Sequence, residues 1–197
     1  MIVMLCGKSC VGKDSIRELL IKDKGYKGLI SYTTRPKRDY EVDGVDYYFV
    51  NKDEMDEMLE KGEILDYREY KVSGGKIWGY GHNYKNIDEI DDDDEVYVGI
   101  GDLGGCKRFK EKYNDNCLII YIEAPYYQRR VRANIRNDNT LEIQRRFTQD
   151  DIDFSNEKLY NIIDYSVENS DGYMGKTVDE IVKYIERTRY EHENKHS

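Results

Sequence analysis

Apolar residues gather in short unbroken runs near the start and in the second half of the chain. Residues 2–6 (Ile-Val-Met-Leu-Cys) form such a run, and it predicts a short strand buried on both faces. Glycine punctuation follows. From Asp14 to Lys24 the apolar positions fall at 16, 19, 20 and 21, one face of a helix. Strand, glycine loop and helix together open a βα unit. Residues 28–32 read as a second strand. Between Thr33 and His82 the character changes: clustered arginines, a strand over 46–50, a charged helix near 51–61 and a strand from about Ile64 to Lys71. This stretch reads as a small inserted lobe. Val96 to Ile100 and Cys117 to Ile122 are further buried strands, with a helix near 103–113 between them. Residues 126–158 are mostly helical, 165–168 form a last strand, and Thr177 to Arg189 a last amphipathic helix. The polar tail 190–197 is expected to fray. Alternating strands and helices predict an α/β fold with a parallel sheet.

Composition narrows the function. The chain has 197 residues and a net charge of −9, enough for one core with an inserted lobe. Acidic balance argues against a general nucleic-acid binder, which needs positive charge against phosphate. No apolar stretch approaches the roughly 20 residues of a membrane span, and the first residues lack the basic flank of a signal peptide. The cysteines at 6, 10, 106 and 117 make no CxxC pair, so a disulfide framework or zinc site is not expected and a reducing cytoplasm is. The four aspartates at 91–94 read as a solvated turn.

The sharpest chemical signal is Gly7-Lys8-Ser9-Cys10-Val11-Gly12-Lys13. It matches GxxxxGK directly after a buried strand and directly before a helix, the context such a loop requires. The glycines let backbone N–H groups converge on one anion, and the helix N-terminus adds partial positive charge. Lys13 then reaches the outer phosphates of a nucleoside triphosphate such as ATP. The next position, usually Ser or Thr on Mg²⁺, is Asp14, followed by Ser15. Three roles stay open for Asp14: Mg²⁺ ligand, a group acting through water, or helix cap. Ser15 inherits the hydroxyl role by proximity.

A second anion site follows. Ser31-Tyr32-Thr33-Thr34-Arg35-Pro36-Lys37-Arg38 brings hydroxyls and two arginines three apart, and Glu41-Val42-Asp43-Gly44-Val45-Asp46-Tyr47-Tyr48-Phe49-Val50 comes soon after. Paired guanidiniums suit a phosphate monoester through bidentate hydrogen bonds. With these residues the sequence resembles the guanylate kinase family, from Ile2 to about Tyr84 and more weakly through Tyr121 to Pro125 and Val167 to Ser170. It is also similar to a branch of guanylate-kinase-like proteins with GKD in the loop (Gly12-Lys13-Asp14) and RRFxxDxxDFS near the end (Arg145 to Ser155).

The resemblance implies a P-loop NTPase-type sheet core (1–32, 83–125 and 159–190), a nucleoside-monophosphate lobe (33–82) and a helical lid at about 126–145. It implies that Ser31, Arg35, Arg38 and Tyr47 hold the acceptor phosphate, with Glu41 supporting the arginines. Asp66 stands where the family places a glutamate against guanine. Tyr80 completes the phosphate shell, and His82 replaces a base-contacting Ser or Thr; Trp78-Gly79-Tyr80 offers a competing register. Arg132 and Arg136 match lid arginines, Arg146 the arginine bridging the two nucleotides, and Asn169 the contact to adenine. Lys13, Arg136 and Arg146 are then the catalytic set, with ATP as donor, Mg²⁺ as cofactor and small nucleotides as the partners.

Departures fall on the base pocket and metal shell. Asp66 is one methylene shorter than Glu. Gly99 and Gly101 stand where the family has an LDxD strand end, with Asp102 displaced by one. The lid after Arg136 is short, and Ser73-Gly74-Gly75-Lys76 reads as an insertion. The expected activity is ATP-dependent conversion of GMP or dGMP to its diphosphate. The alternatives are a kinase for another monophosphate and a non-catalytic guanylate-kinase-like interaction module. The sequence does not fix the oligomeric state.

Overall fold

The computed structural model describes residues 1–71, 75–88, 95–136, 140–155 and 161–195. The aspartate run 91–94, part of the 73–76 insertion and the segment just after Arg136 lie outside them. The chain divides into two compact units, Met1–Lys27 with Glu95–Ser197, and Gly28–Asp94.

The first unit is built on a five-stranded sheet. Its strands are β1 (Ile2–Cys6), β2 (Lys27–Gly28), β7 (Tyr97–Ile100), β8 (Cys117–Glu123) and β9 (Tyr165–Glu168), in the order β2-β7-β1-β8-β9. β1 runs parallel to β7 and β8, and β9 parallel to β8. All five residues of β1 are buried, as a strand covered on both faces requires. Helix α1 (Lys13–Lys24) lays Ile16 and Leu20 on the core and ends at Gly25 in a left-handed cap. Helix α7 (Met174–Lys195) adds Val178, Ile181, Val182 and Ile185 to the same cluster. The remaining helices are α4 (Leu103–Tyr113), α5 (Tyr126–Ile135) and α6 (Thr140–Asp153). Among the described residues, no helix is long and apolar enough to cross a membrane.

The second unit carries a four-stranded sheet, order β4-β3-β6-β5, from β3 (Tyr32–Thr33), β4 (Tyr48–Phe49), β5 (Arg68–Lys71) and β6 (Ile77–Gly81). β6 runs antiparallel to both β3 and β5. Helix α2 (Lys52–Glu60) opens with a capping box between Asn51 and Glu54, and α3 (Tyr84–Asp88) is a single short turn of helix.

Several expectations need correction. The run 28–32 is not one strand, because Lys27–Gly28 joins the first sheet and Tyr32–Thr33 the second. The 46–50 strand shrinks to Tyr48–Phe49. Upstream, Asp46 accepts from the Val42 N–H at 2.7 Å and Asp43 from the Phe49 N–H at 2.9 Å, which curls the chain into a turn. Strand β6 was invisible to patterning, because its Ile77 is exposed and two of its five residues are glycine. The tail does not fray at 190: α7 continues to Lys195, aided by the Arg187–Glu191 ion pair one turn apart.

Candidate active site

In the first unit, the loop after β1 has the backbone of an anion cradle. Gly7 and Gly12 have φ of 146° and 99°, and Cys10, though not glycine, has 63°. A Cβ on Gly7 would meet the Ile122 carbonyl oxygen at 2.3 Å, and one on Gly12 would meet Asn169 Nδ2 at 2.5 Å. Both positions therefore exclude any side chain. Lys13 Nζ donates to the carbonyls of Gly7 (2.8 Å) and Lys8 (3.1 Å). Burial lowers its pKa, partly offset by Asp14 and Asp150.

Two arginines of α5 hold the loop from its carbonyl side. Arg129 Nε donates to the Ser9 carbonyl at 2.8 Å. Arg132 Nη1 donates to the Val11 carbonyl at 3.1 Å, and its Nη2 to the Asn169 carbonyl at 2.7 Å and to Asp171 at 2.7 Å. Asn169 Nδ2 donates to the Val11 carbonyl at 2.7 Å, and the residue is fully buried. Here Arg132 and Asn169 brace the loop through its backbone carbonyls. A guanidinium and an amide among backbone carbonyls find their partners there.

Patterning gave no role to Asp150. Its carboxylate, on α6, accepts from the Ser9 N–H at 2.9 Å, the Ser9 hydroxyl at 3.0 Å and Arg129 Nη2 at 2.5 Å. Its neighbour Asp151 takes Lys8 Nζ at 2.9 Å. The aspartates of the RRFxxDxxDFS segment were the available signal.

The other expected residues of this unit are more exposed. Asp14 is exposed in the first turn of α1 and Ser15 half-buried behind it. The capping position is Gly12, so Asp14 is not the cap. Arg136 ends α5, exposed. Arg146 Nε meets Glu142 at 3.2 Å. Asp102 caps α4 by accepting from the Gly105 N–H at 2.7 Å.

In the second unit, Arg35 is buried and paired in two places with Glu41: Nη1 at 3.0 Å and Nη2 at 2.6 Å. Glu41 also accepts from the Arg38 N–H at 2.8 Å. The hydrogen bond to Glu41 raises the Arg35 pKa above its ordinary value, against burial and with help from Tyr80. The same bond lowers Glu41. The Tyr47 ring lies 5.3 Å from the guanidinium and edge-on to Tyr80 at 6.0 Å. Tyr80, not Trp78, thus shares the Arg35 surroundings; Trp78 pairs with Tyr70 in the next strand. Arg38 turns to the Tyr40 hydroxyl at 2.8 Å. Of the threonine hydroxyls, that of Thr33 accepts from the Arg35 backbone N–H at 3.1 Å. Thr33 donates to the Gly79 carbonyl at 3.0 Å and Thr34 accepts from the Gly79 N–H at 2.8 Å, which ties β3 to β6.

Beyond the arginines lie Ser31, His82 and Asp66. Ser31 Oγ sits 2.8 Å from His82 Nε2, and the Asp66 carboxylate lies at 3.0 and 3.1 Å from His82 Nδ1. Burial pushes the Asp66 carboxyl up, but the charge and hydrogen bonds of His82, then Arg68, outweigh it and leave it at about 2.

The strand–loop–helix with its half-buried lysine defines an α/β protein of the phosphate-binding-loop class. The sequence model of the guanylate kinase family matches residues 1–188, and the chain belongs to that family. A curated guanylate kinase of Enterococcus faecalis (strain ATCC 700802 / V583) is 35% identical over 127 residues, 64% of this chain. The chain spans 59% of the length of that relative. The crystal structure of guanylate kinase from Anaplasma phagocytophilum matches with a TM-score of 0.66 at 22% identity, over 96% of this chain and 86% of that one. An uncharacterized protein from Eubacterium ventriosum ATCC 27560 matches with a TM-score of 0.50 at 12% identity, over 95% and 98%. Both structures speak for the fold.

Proposed function

We propose that the chain transfers the γ-phosphoryl group of ATP to a nucleoside monophosphate, with GMP or dGMP as the acceptor. The observation that carries this reading is the Arg35–Glu41 pair ringed by Tyr47 and Tyr80, in a chain of this family that also holds a lysine-bearing phosphate loop. A buried, carboxylate-braced guanidinium is a preorganised partner for a phosphate monoester. The loop 7–13 with Asp14 and Ser15 binds the donor. Ser31, Arg35, Arg38, Glu41, Tyr47 and Tyr80, with Asp66 and His82 at the base end, bind the acceptor. The lobe is assigned to about 33–82, the lid to about 126–145 and the core to 1–32, 83–125 and 159–190.

Phosphoryl transfer asks mainly for positioning and charge stabilisation. Lys13, Arg136 and Arg146 supply positive charge to the transferring group. A monophosphate dianion is already a nucleophile at neutral pH, so no general base is required. The donor set fits Mg²⁺. Among the described residues, no group of three or more His, Cys, Asp or Glu is placed to hold a metal, and Mg²⁺ in such sites takes one or two protein oxygens plus phosphates and water. Ser15 and Asp14 are the oxygens at hand, and the ion would neutralise charge on the bound triphosphate.

One observation favours a second acceptor. Asp66 is fully buried and already engaged by His82 and Arg68, so its carboxylate is not offered to guanine as a free group. An ADP-release assay with ATP and Mg²⁺, screening GMP, dGMP, AMP, CMP, UMP and dTMP, separates the readings. GMP and dGMP are expected to stimulate release. Preference for another monophosphate moves the specificity, and stimulation by none of them overturns the kinase reading. Lys13→Ala is expected to lower turnover at least about a hundredfold, and Arg35→Ala to raise the acceptor KM.

A further inference from the structure

Ser9 has a side chain on each of its polar groups. Asp150 Oδ2 accepts its backbone N–H at 2.9 Å, and Oδ1 accepts its hydroxyl at 3.0 Å. Arg129 Nε donates to its carbonyl at 2.8 Å and closes the ring by donating from Nη2 to Asp150 Oδ2 at 2.5 Å. The guanidinium also lies over the Phe147 ring, 4.4 Å from its centroid. The side chains of Arg129 and Asp150 are only 5% and 11% exposed. The next two carbonyls, of Cys10 and Val11, accept from Arg132 at 3.4 and 3.1 Å. Helices α5 and α6 thus fasten the loop over residues 9–11 by protein groups alone.

A loop of this shape needs such tethers. Gly7, Cys10 and Gly12 all have positive φ, and Cys10 carries a side chain in a region that favours glycine. Converging N–H groups make an anion-binding hollow, and their dipoles repel one another. Tethers from outside reduce what must be ordered when the anion arrives. Asp150 has an opposite effect as well. It is itself an anion, and its charge reaches Lys13, where it offsets part of the lowering caused by burial. A carboxylate near that lysine repels an incoming phosphate. Arg129, however, stands 2.5 Å from it and cancels most of its charge at a distance. The bonds to Ser9 are left as the larger effect.

We infer that Asp150 is a positioning residue for the phosphoryl donor: through Ser9 it holds the phosphate loop in its anion-binding shape, and this gain exceeds the repulsion its charge brings. The inference rests on the reading of the loop as the ATP site. Two substitutions separate shape from charge. Asp150→Ala removes the charge and both bonds to Ser9. Charge alone predicts tighter ATP binding in that variant, and a loosened loop predicts weaker. Asp150→Asn removes the charge but keeps the bonds. Its oxygen still accepts the Ser9 N–H, and its amide donates to the Ser9 hydroxyl oxygen.

Calorimetric titration of the full chain with ATP and Mg²⁺ decides the sign. Asp150→Ala is expected to raise the ATP Kd about tenfold, and Asp150→Asn to bring it back within about threefold of the wild type. Unchanged or tighter binding in Asp150→Ala overturns the inference: a merely structural role lowers the Tm and the active fraction but leaves the Kd of the folded molecules where it was. Asp150→Asn binding as weakly as Asp150→Ala overturns it too, because the bonds to Ser9 would then not be what counts. Where Asp150→Ala does not fold, Ser9→Ala decides. It leaves the Arg129–Asp150 pair intact and removes the hydroxyl bond, with an expected rise of about threefold in ATP Kd; an unchanged Kd overturns the inference. A wild type that binds no ATP overturns the reading of the loop as the donor site, and the inference with it.

Discussion

Asp150 holds Ser9 by two hydrogen bonds, one from the backbone N–H and one from the hydroxyl, across 141 positions of sequence. The same carboxylate pairs with the buried Arg129. Removing one partner of a buried ion pair leaves an uncompensated charge, whereas replacing both with apolar groups is often neutral. Asp150→Ala is therefore expected to cost about 3–5 kcal/mol in urea unfolding. The double change Arg129→Leu with Asp150→Ala should recover only the part that comes from the unpaired guanidinium, since Ser9 still lacks its acceptor. Equal losses in single and double variants would show that the pair is not what stabilises this region.

Glu41 stands in the same relation to Arg35, with the difference that both lie in the proposed acceptor clamp. Glu41→Gln removes the charge but keeps the shape. The expected result is a loss of about 3 kcal/mol together with a raised acceptor KM at little change in ATP KM. An unaltered acceptor KM would separate the pair from acceptor binding.

Acid should weaken the 28–94 unit through two carboxylates. Asp66 is held at about 2, below its ordinary 3.8, and Glu41 is lowered too, by Arg35 first. A depressed native pKa means the unfolded chain binds more protons, so stability rises with pH in this window. The contribution is complete above roughly pH 5 and fades as pH falls toward 2. Thermal unfolding followed from pH 6 to pH 2.5 should show this decline, with a shallower slope in Asp66→Asn. Identical slopes would mean that Asp66 contributes nothing to it.

Gly12 and Gly25 both have positive φ, but only Gly12 faces a neighbour. A methyl at Gly12 would lie 2.5 Å from Asn169 Nδ2, whereas at Gly25 nothing lies within 4 Å. Gly25→Ala should cost about 1 kcal/mol and leave ATP binding alone. Gly12→Ala should weaken ATP binding at least tenfold by moving the loop, as nucleotide titration calorimetry can read. Equal ATP affinity in the two variants would contradict the close approach of Asn169 to the loop.

The phosphate loop was legible because its signals are local. A five-residue apolar run, two glycines five apart and a following helix face all lie within 24 residues, and each has one backbone solution. The Arg35–Glu41 pair was legible for a similar reason, six positions apart inside one specific run. Strand β6 was not, because pairing on both sides holds it in place and its own side chains do not.

By itself, then, the sequence determined the βα opening, the strands β1, β7, β8 and β9 of the first sheet, the family and the Arg35–Glu41 pair. Each depends on neighbours within one element or turn. Tertiary structure alone decided that Arg132 and Asn169 brace the phosphate loop, that Asp150 reaches Ser9, and that Asp66 is turned to His82. Those outcomes depend on which polar groups meet once separate segments are packed. A buried donor or acceptor must find a partner wherever the fold supplies one, and residue type does not say where that is.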